Sequence, residues 1–338
     1  MSRKIRIFIN RLKTMSFKKM FMMINQIHEE YHRSRIITFI DMIICALKFG
    51  VGYQDYRVFG FANVPMKKRE TFMTMNQNLS LVRQVNDPEC FKLFNNKILF
   101  FEKFNEYIRR DWINIEGKSA EELKSFCEGR ERVFAKQTET FGGQGISQVK
   151  LNADTDYEKL FNELSENKQF LIEEAITQHP KMNELYKDSV NTLRMVTLVK
   201  DGKSVLMYAL VRMGQGGAAI DNITSGGMYA PLNDEGVITH PAFCDREGVC
   251  HDVHPTSKTK FVGFEVPFFK EAVELVKAAS LVEPGMKYIG WDVAITPDGP
   301  ILVEGNNFPS YELPQNYRHR DNDEGIRAKF EEVMGITL

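Results

Sequence analysis

The sequence predicts an α+β protein in which a helical N-terminal region precedes a larger part built from strands and helices. Up to about Asn95 the apolar residues recur at helical spacing, as they do between Ile36 and Leu47. Beyond this point, short runs rich in β-branched and aromatic residues are separated by turns that contain glycine, a texture typical of strands. Two of these runs flank Asp201-Gly202, a dipeptide typical of a tight β-hairpin. We therefore place a boundary near Asn95.

The charge balance argues against a partner that needs a strongly charged surface. The 338 residues include 44 Lys and Arg against 45 Asp and Glu, so the formal net charge is −1 and gives no support for a nucleic-acid partner. The five cysteines are scattered and odd in number, which favours a reducing compartment over a disulfide framework. We expect a cytoplasmic protein with small-molecule partners, and the composition does not fix its oligomeric state.

Two features near the N-terminus bear on membrane contact. Ile36 to Gly52 is the longest apolar stretch, but Asp41 and Lys48 interrupt it and it is too short to span a bilayer, so we interpret it as a core helix. Before Glu29 the chain carries basic residues and no acid, and it lacks the apolar block of a secretory signal. Such a segment permits weak peripheral contact with an anionic membrane, although a solvated helix packed on the rest of the protein is the favoured interpretation. The basic residues are Arg3, Lys4, Arg6, Arg11, Lys13, Lys18 and Lys19.

A second predicted hairpin brings two carboxylates together. The runs between Tyr288 and Glu304 flank Pro297-Asp298-Gly299, and a turn centred on Asp298 places Asp292 directly opposite Glu304. Directly paired residues of an antiparallel ladder share a face, with Cβ atoms about 4.5 to 5.5 Å apart. Like charges at that distance are destabilising unless a cation lies between them or one carboxyl takes up a proton.

A divalent cation would remove this repulsion. Asn306 lies two residues beyond Glu304, so on a continuing strand it shares the same face and offers a neutral oxygen. Two carboxylates and an amide suit Mg²⁺ or Mn²⁺ carrying a nucleotide phosphate, whereas zinc prefers His and Cys. The sequence therefore predicts a metal site at Asp292, Glu304 and Asn306, with a solvated hairpin whose acids never meet as the alternative.

A lysine precedes a glycine-rich loop that suits phosphate binding. Lys136 ends an extended run, and Gly142, Gly143 and Gly145 follow it. Glycines let the backbone approach a ligand closely and aim its N–H groups at phosphate oxygens. The alternative is a flexible hairpin tip.

A second glycine-rich stretch, Gly214–Ala219, formally matches the dinucleotide-binding fingerprint and follows a strand. The residues after it are poor in helix formers and rich in turn residues, so the helix that the fingerprint requires is missing. We therefore reject a Rossmann interpretation and expect a loop that approaches a ligand.

Cysteines and histidines cluster once, at Cys244, Cys250, His251 and His254. Their spacing does not match the usual zinc motifs, and the residues between the cysteines are typical of a turn. We interpret this segment as a surface loop.

In their order along the chain, these segments resemble the ATP-grasp superfamily, and more closely its subgroup of sugar-transfer-associated ATP-grasp proteins. The similarity spans residues 96–310, and the ordered set with its final Asp…Glu-x-Asn is more specific than any single motif. The segments that carry it are Asn96-Lys97, Ala135-Lys136 with its glycine loop, Leu171–Ile176, Asn191–Arg194, Arg212–Gly227, Gly290–Asp292 and Glu304–Asn306.

The resemblance implies an ATP-grasp fold, in which two α+β lobes grip ATP. It divides the chain into a helical N-terminal region at 1–95, an N-terminal lobe at 96–180 and a C-terminal lobe at 181–338. The helical region stands where many ATP-grasp enzymes have a Rossmann-like pre-domain.

The resemblance also implies how the nucleotide phosphates are bound. Lys97 and Lys136 would contact them, and the loop of Gly142, Gly143 and Gly145 would close over them. For Lys97 the alternative is a solvated lysine at the start of a helix.

Further roles follow from the same resemblance. Glu173 and Glu174 would sit at the hinge that reads adenine, with an ordinary surface pair as the alternative. Arg194 and Arg212 would meet the transferred phosphate and the substrate carboxylate, and Asn222 would help to position the reacting acyl group.

The two arginines set a geometric requirement. A two-residue turn at Asp201-Gly202 pairs Arg194 with Ala209, which places Arg212 on the opposite face of the sheet. We therefore expect a bulge, an odd-length loop or an early end of the strand, since only then can both side chains meet one phosphate.

The implied activity is that of an ATP-dependent carboxylate–amine ligase that works through an acyl phosphate, with ATP and Mg²⁺ or Mn²⁺ as cofactors. Its substrates would be a small-molecule carboxylate and amine, sugar-linked ones among them, in surface polysaccharide biosynthesis. The alternatives are a phosphotransferase on the same fold and a non-catalytic nucleotide-binding module.

Overall fold

The computed structural model describes residues 16–140, 144–217, 221, 223 and 226–338. Its α-helices are α1 (Phe17–Tyr31), α2 (Arg35–Lys48), α3 (Tyr53–Val58), α4 (Met75–Val85), α5 (Phe91–Asn95), α6 (Lys97–Lys103), α7 (Asn105–Ile108), α8 (Ala120–Cys127), α9 (Tyr157–Glu166), α10 (Pro180–Leu185), α11 (Phe269–Ala279) and α12 (Arg327–Met334). Its strands are β1 (Trp112–Asn114), β2 (Arg132–Lys136), β3 (Ile146–Lys150), β4 (Leu171–Glu174), β5 (Thr192–Lys200), β6 (Lys203–Met213), β7 (Met228–Leu232), β8 (Ala242–Cys244), β9 (Val249–His251), β10 (Tyr288–Thr296) and β11 (Gly299–Asn306).

The chain divides into two compact units. The helical unit joins the residues up to Gln84 with Ser310–Leu338, and the sheet unit is Val85–Pro309. As predicted, the regular elements described between residues 16 and 95 are helices.

The last segment of the chain is part of the helical unit. Buried Gln315 accepts a hydrogen bond from the N–H of Met73 at 2.8 Å, and its amide donates to the Met73 carbonyl at 2.9 Å. Arg318 and Tyr317 donate to the carboxylate of Glu30. The predicted C-terminal lobe, 181–338, therefore differs from the observed division, because residues 310–338 find their polar partners in the helical unit.

Helix α2 buries Thr38, Asp41, Met42 and Cys45 and turns isoleucines outward. Asp41 is buried and accepts hydrogen bonds from Arg69 and Tyr56, each at 2.7 Å. Burial alone would raise the pKa of Asp41, but hydrogen bonds from Arg69 and Tyr56 hold it below its ordinary value. Ile36 and Ile40 are exposed. The prediction of a core helix is therefore wrong, because the buried ion pair decides which side of the helix faces inward. Within the described residues, no helix is long and apolar enough to cross a membrane.

The sheet unit contains two antiparallel sheets. The smaller has the strand order β1-β4-β2-β3, and the larger has the order β11-β10-β5-β6-β7-β8-β9. Leu123 of α8 and Leu164 of α9 belong to the hydrophobic core of the smaller sheet. Phe100 of α6 and Val276 of α11 belong to the core of the larger one. The unit thus has the two α+β lobes that the sequence predicts.

The predicted hairpin at Asp201-Gly202 is present between β5 and β6. Lys200 pairs with Lys203, so the loop has two residues. Their φ angles are 50° for Asp201 and 74° for Gly202, and a type I′ turn requires positive φ at both positions.

Candidate active site

Asp292 and Glu304 pair directly across β10 and β11, which together form the acidic hairpin. This confirms the predicted pairing, although the turn differs from the one predicted. Thr296 pairs with Gly299, so the loop contains two residues and is not centred on Asp298. A bulge after Asp292 adds one residue to β11 and restores the pairing with Glu304.

Two arginines, Arg194 on β5 and Arg212 on β6, hold the Asp292 carboxylate. Nε of Arg194 lies 2.6 Å from Oδ1 of Asp292, and Nη2 of Arg212 lies 2.8 Å from Oδ2. Arg212 also donates to the Thr192 hydroxyl at 2.7 Å and lies 3.7 Å from the carboxylate of Asp221. Two cations thus converge on one buried carboxylate.

A β-bulge brings both arginines to the same face, as the sequence required. Arg194 pairs with Leu210 instead of Ala209, because the register shifts between Val196 and Thr197. Leu210 and Arg212 are two residues apart and therefore point to the same side of β6.

The arginines separate the titration of the two acidic groups. Burial acts to raise the pKa of Asp292, but the charges of Arg194 and Arg212 outweigh it and lower the pKa. Burial and the charge of Asp292 raise the pKa of Glu304 to about 7. A hydrogen bond also joins the two carboxyl groups. Near neutral pH the Glu304 carboxyl is therefore divided between its protonated and charged forms.

The donor atoms of the acidic hairpin fit a hard divalent cation. Oδ1 of Asp292 is a buried carboxylate oxygen whose partner in the ligand-free protein is the Arg194 guanidinium. Asn306 pairs with Gly290 in the same register as Asp292 with Glu304, so it shares their face, as predicted. Among the described residues, no three His, Cys, Asp or Glu side chains group closely enough to hold a metal. A divalent cation at the hairpin would thus need oxygen ligands besides the two carboxylates.

The two lysines named by the resemblance line a cavity beside this hairpin. Lys97, Lys136, Glu304 and Asn306 are in its wall, and its volume is about 200 Å³. Burial lowers the pKa of Lys97; the charge of Glu304 opposes this shift, and that of Lys136 adds to it. The Lys97 ammonium donates to the carbonyl of Thr140. Two ammonium groups next to carboxylates at one cavity suit a metal-bound polyphosphate.

Glu173 is buried under Lys136. Its carboxylate bonds Lys136 and also Arg110, whose Nη2 lies 2.6 Å away. Burial acts to raise the pKa of Glu173, but the charges of Arg110 and Lys136 lower it. Glu174 is half-buried and accepts a 3.3 Å hydrogen bond from the N–H of Asp111. The Glu173 side chain is thus bonded to Arg110 and Lys136. A contact with adenine at this position would therefore have to come from the backbone.

The glycine loop is described in part. Gly145 has φ 67°, and a Cβ there would lie 2.5 Å from the side-chain oxygen of Gln137. Its carbonyl accepts a hydrogen bond from the N–H of Gln137 at 2.9 Å, which closes the base of the loop. Gly142, Gly143 and Asn222 lie outside the described residues.

Sequence reasoning missed two charged residues of this region. Arg110 donates to Glu173 on β4 and also to the carbonyl of Leu302 on β11, at 2.7 Å. Asp221 is buried and accepts a 3.0 Å hydrogen bond from the N–H of Thr192. The signal for Asp221 was its place in a glycine-rich loop next to the strand of Arg212, whereas Arg110 has no motif around it.

The segment with cysteines and histidines is not the surface loop that was expected. Cys244 and His254 are buried, and β8 and β9 form a hairpin in which Cys244 pairs with Val249. The His254 ring nitrogen Nε2 lies 2.8 Å from the carbonyl of Gly214. The segment therefore supports the glycine-rich loop that follows β6.

A family model for sugar-transfer associated ATP-grasp proteins matches residues 76–333, which is more than half of the chain. The chain belongs to this family. The α+β fold with two lobes after a helical N-terminal region is thus an ATP-grasp fold, as predicted. No curated protein matches this ATP-grasp chain.

Solved structures of several other proteins are similar to this one at low identity. They include D-alanyl-alanine synthetase A from Vibrio cholerae O1 biovar eltor str. N16961, with 13% identity, a TM-score of 0.44 and coverage of 73% of this chain and 66% of that one. N5-carboxyaminoimidazole synthetase from Staphylococcus aureus complexed with ADP has 11% identity, a TM-score of 0.43 and coverage of 70% and 52%. The ATP-grasp ligase PsnB complexed with minimal precursor has 12% identity, a TM-score of 0.41 and coverage of 75% and 60%. The chain therefore spans less than two thirds of the length of these proteins, and similarities of this size carry no argument about its substrates.

Proposed function

We propose that this ATP-grasp protein is an ATP-dependent ligase that joins a carboxylate to an amine through an acyl phosphate. The observation that carries the proposal is one cavity lined by Lys97, Lys136, Glu304 and Asn306, beside an Asp292 held by two arginines. Membership of the family supports ATP-dependent ligase activity in general.

In this proposal the acidic hairpin holds the metal of the nucleotide. Asp292, Glu304 and Asn306 would hold Mg²⁺ or Mn²⁺, and the cation would supply charge neutralisation at the phosphate oxygens. Glu304 would hold the cation in its charged form, because a nearby cation favours the carboxylate over the carboxylic acid. Lys97 and Lys136, which line the same cavity, bind the phosphates.

The chemistry follows from the weak reactivity of a carboxylate. Its oxygen attacks the γ-phosphorus of ATP, the bond from that phosphorus to the bridging oxygen breaks, and ADP leaves. The amine nitrogen then attacks the acyl carbon, loses a proton and expels phosphate, which gives an amide. Arg194 and Arg212 stabilise the charge on the transferred phosphoryl group, so positioning and electrostatics provide most of the catalysis.

The chemical class of the two substrates is proposed from the family alone. The description of the family associates it with sugar transfer, so we propose a carboxylate and an amine carried by a sugar, an amino acid or a glycoconjugate, in surface polysaccharide biosynthesis.

The test is a coupled assay of ADP release with uronic acids and other carboxylates, each combined with amino sugars and other amines. A ligase releases ADP at full rate only when both substrates are present, and the amide appears in the products. ADP release with a single substrate, together with a phosphorylated product, would favour a phosphotransferase. ATP binding without ADP release under every combination would favour a non-catalytic module.

A further inference from the structure

The outer side of helix α2 carries a continuous apolar face. Its members, here called the isoleucine face, are Ile36, Ile37, Ile40, Ile44 and Leu47. Ile36 is 73% exposed and Ile40 is 51% exposed, so these side chains present most of their surface to water. Asp41 is the one charged residue between Ile36 and Leu47, and it is buried on the opposite side of the helix. A helix normally buries its apolar side, so this orientation calls for something that covers the face.

The face continues onto helix α1. The rings of Phe21 and Phe39 stack with centroids 6.2 Å apart, which joins the two helices at their surface. Phe17 and Phe21 are about half exposed. The apolar surface therefore extends over two neighbouring helices instead of consisting of isolated side chains.

Exposed basic residues lie near the start of both helices. Lys18 and Lys19 are exposed next to Phe17, and Arg35 is exposed at the start of α2. In the sequence, five further basic residues lie between Arg3 and Lys13, and no acidic residue precedes Glu29. An apolar face with a basic border matches the interface of an anionic bilayer, where acyl chains lie beneath negatively charged headgroups.

We propose that the isoleucine face docks the protein peripherally on an anionic membrane surface. Helices α1 and α2 lie in the plane of the interface, with the isoleucines below the headgroups and Lys18, Lys19 and Arg35 at the phosphates. The 14 residues of α2 form a helix of about 21 Å, which is too short to span the bilayer but suited to lie on it.

The basic border favours a membrane over a second copy of the chain. In a symmetric dimer the same patch meets itself, so Lys18, Lys19 and Arg35 of both copies would approach one another. Like charges at such a contact are unfavourable, whereas anionic headgroups neutralise them.

The test is flotation of the full chain with vesicles. Phosphatidylcholine vesicles that contain about one third phosphatidylglycerol are expected to bind the protein, pure phosphatidylcholine vesicles are not, and added salt should weaken the binding. The variant I40S/I44S is expected to lower the partition coefficient about tenfold, since two exposed isoleucines no longer enter the acyl region. K18E/K19E is expected to lower it at least as much.

The matched control is V249S/L281S, which replaces two similarly exposed apolar residues of the sheet unit and should leave vesicle binding unchanged. Thermal melting verifies that each variant is folded. Unchanged binding by I40S/I44S would overturn the proposal. So would sedimentation showing a wild-type dimer that I40S/I44S converts to a monomer, without vesicle binding by either protein. Binding that depends on residues 1–15 but not on the isoleucines would also overturn it.

Discussion

Glu304 and Asp292 are directly paired and hydrogen-bonded, but the two arginines of the site bond the buried Asp292 and not the half-buried Glu304. Glu304 therefore carries the unfavourable electrostatic energy of the pair when no cation is bound. Several measurable properties depend on this asymmetry.

The variant E304Q is expected to stabilise the ligand-free protein at alkaline pH. The folded-state pKa of Glu304, about 7, lies above that of an exposed glutamate, so its ionisation costs stability as pH rises through this interval. Glutamine removes that cost, and we expect Tm to rise by about 3 °C near pH 8 and to stay unchanged near pH 5. Thermal melting across pH measures this, and a lower Tm than wild type near pH 8 would contradict it.

The same variant should lose the metal-dependent effect of the nucleotide. With wild type, ADP and Mg²⁺ together are expected to raise Tm, because a ligand that binds the folded state stabilises it. ADP with EDTA should give little shift, since the lysines alone would hold the phosphates. E304Q should show a small shift in both conditions; a full Mg²⁺-dependent shift in E304Q would rule Glu304 out as a metal ligand.

The variant D292N is expected to lower ADP release at least about a hundredfold while the protein remains folded. It removes a proposed metal ligand and leaves Arg194 and Arg212 without their carboxylate, so Tm should also fall. The control D298N makes the same chemical change at the exposed turn of the same hairpin and should retain activity. Near-normal turnover in D292N would remove this carboxylate from the proposed site.

Arg110 is expected to hold β4 and β11 together. R110M leaves Glu173 with one of its two cations in a buried position, which should destabilise the protein by about 3 kcal/mol. In R110M/E173M the buried carboxylate that has lost one of its two cations is gone, and part of that loss should be recovered. Chemical denaturation of the wild type, both single variants and the double variant measures the coupling. If the losses of unfolding free energy in R110M and E173M add up to the loss in the double variant, Arg110 and Glu173 are not coupled.

The acidic hairpin shows what the sequence could and could not predict. The pairing of Asp292 with Glu304 was correct because two departures from the assumed geometry, a shorter loop and a bulge, cancel. The bulge that aligns Arg194 with Arg212 was predictable from the requirement that both meet one ligand. The role of Arg110 could not be predicted, because its partners, Glu173 and Leu302, are 63 and 192 positions away in the chain and no local pattern marks it.

Helix α2 was predicted incorrectly for a related reason. Its isoleucines outnumber its polar residues, so apolar content alone indicated a core helix. Its orientation instead depends on Arg69, which lies 28 positions away and bonds Asp41. Periodicity gives the faces of a helix, but a buried ion pair with a distant residue decides which face is inside.

The helical unit is assembled from two separate segments of the chain, with the sheet unit between them. During synthesis, the strands of Val85–Pro309 are complete before Ser310–Leu338 exists, so the segment made first has to wait for the segment made last. Ribosome-arrested chains that end with the sheet unit outside the exit tunnel are expected to protect residues 85–309 from protease and to leave the region before Gln84 open to cleavage. If the region before Gln84 is protected as well, the N-terminal helices fold without Ser310–Leu338. If it is cleaved, the helical unit is the last to fold, although it contains the start of the chain.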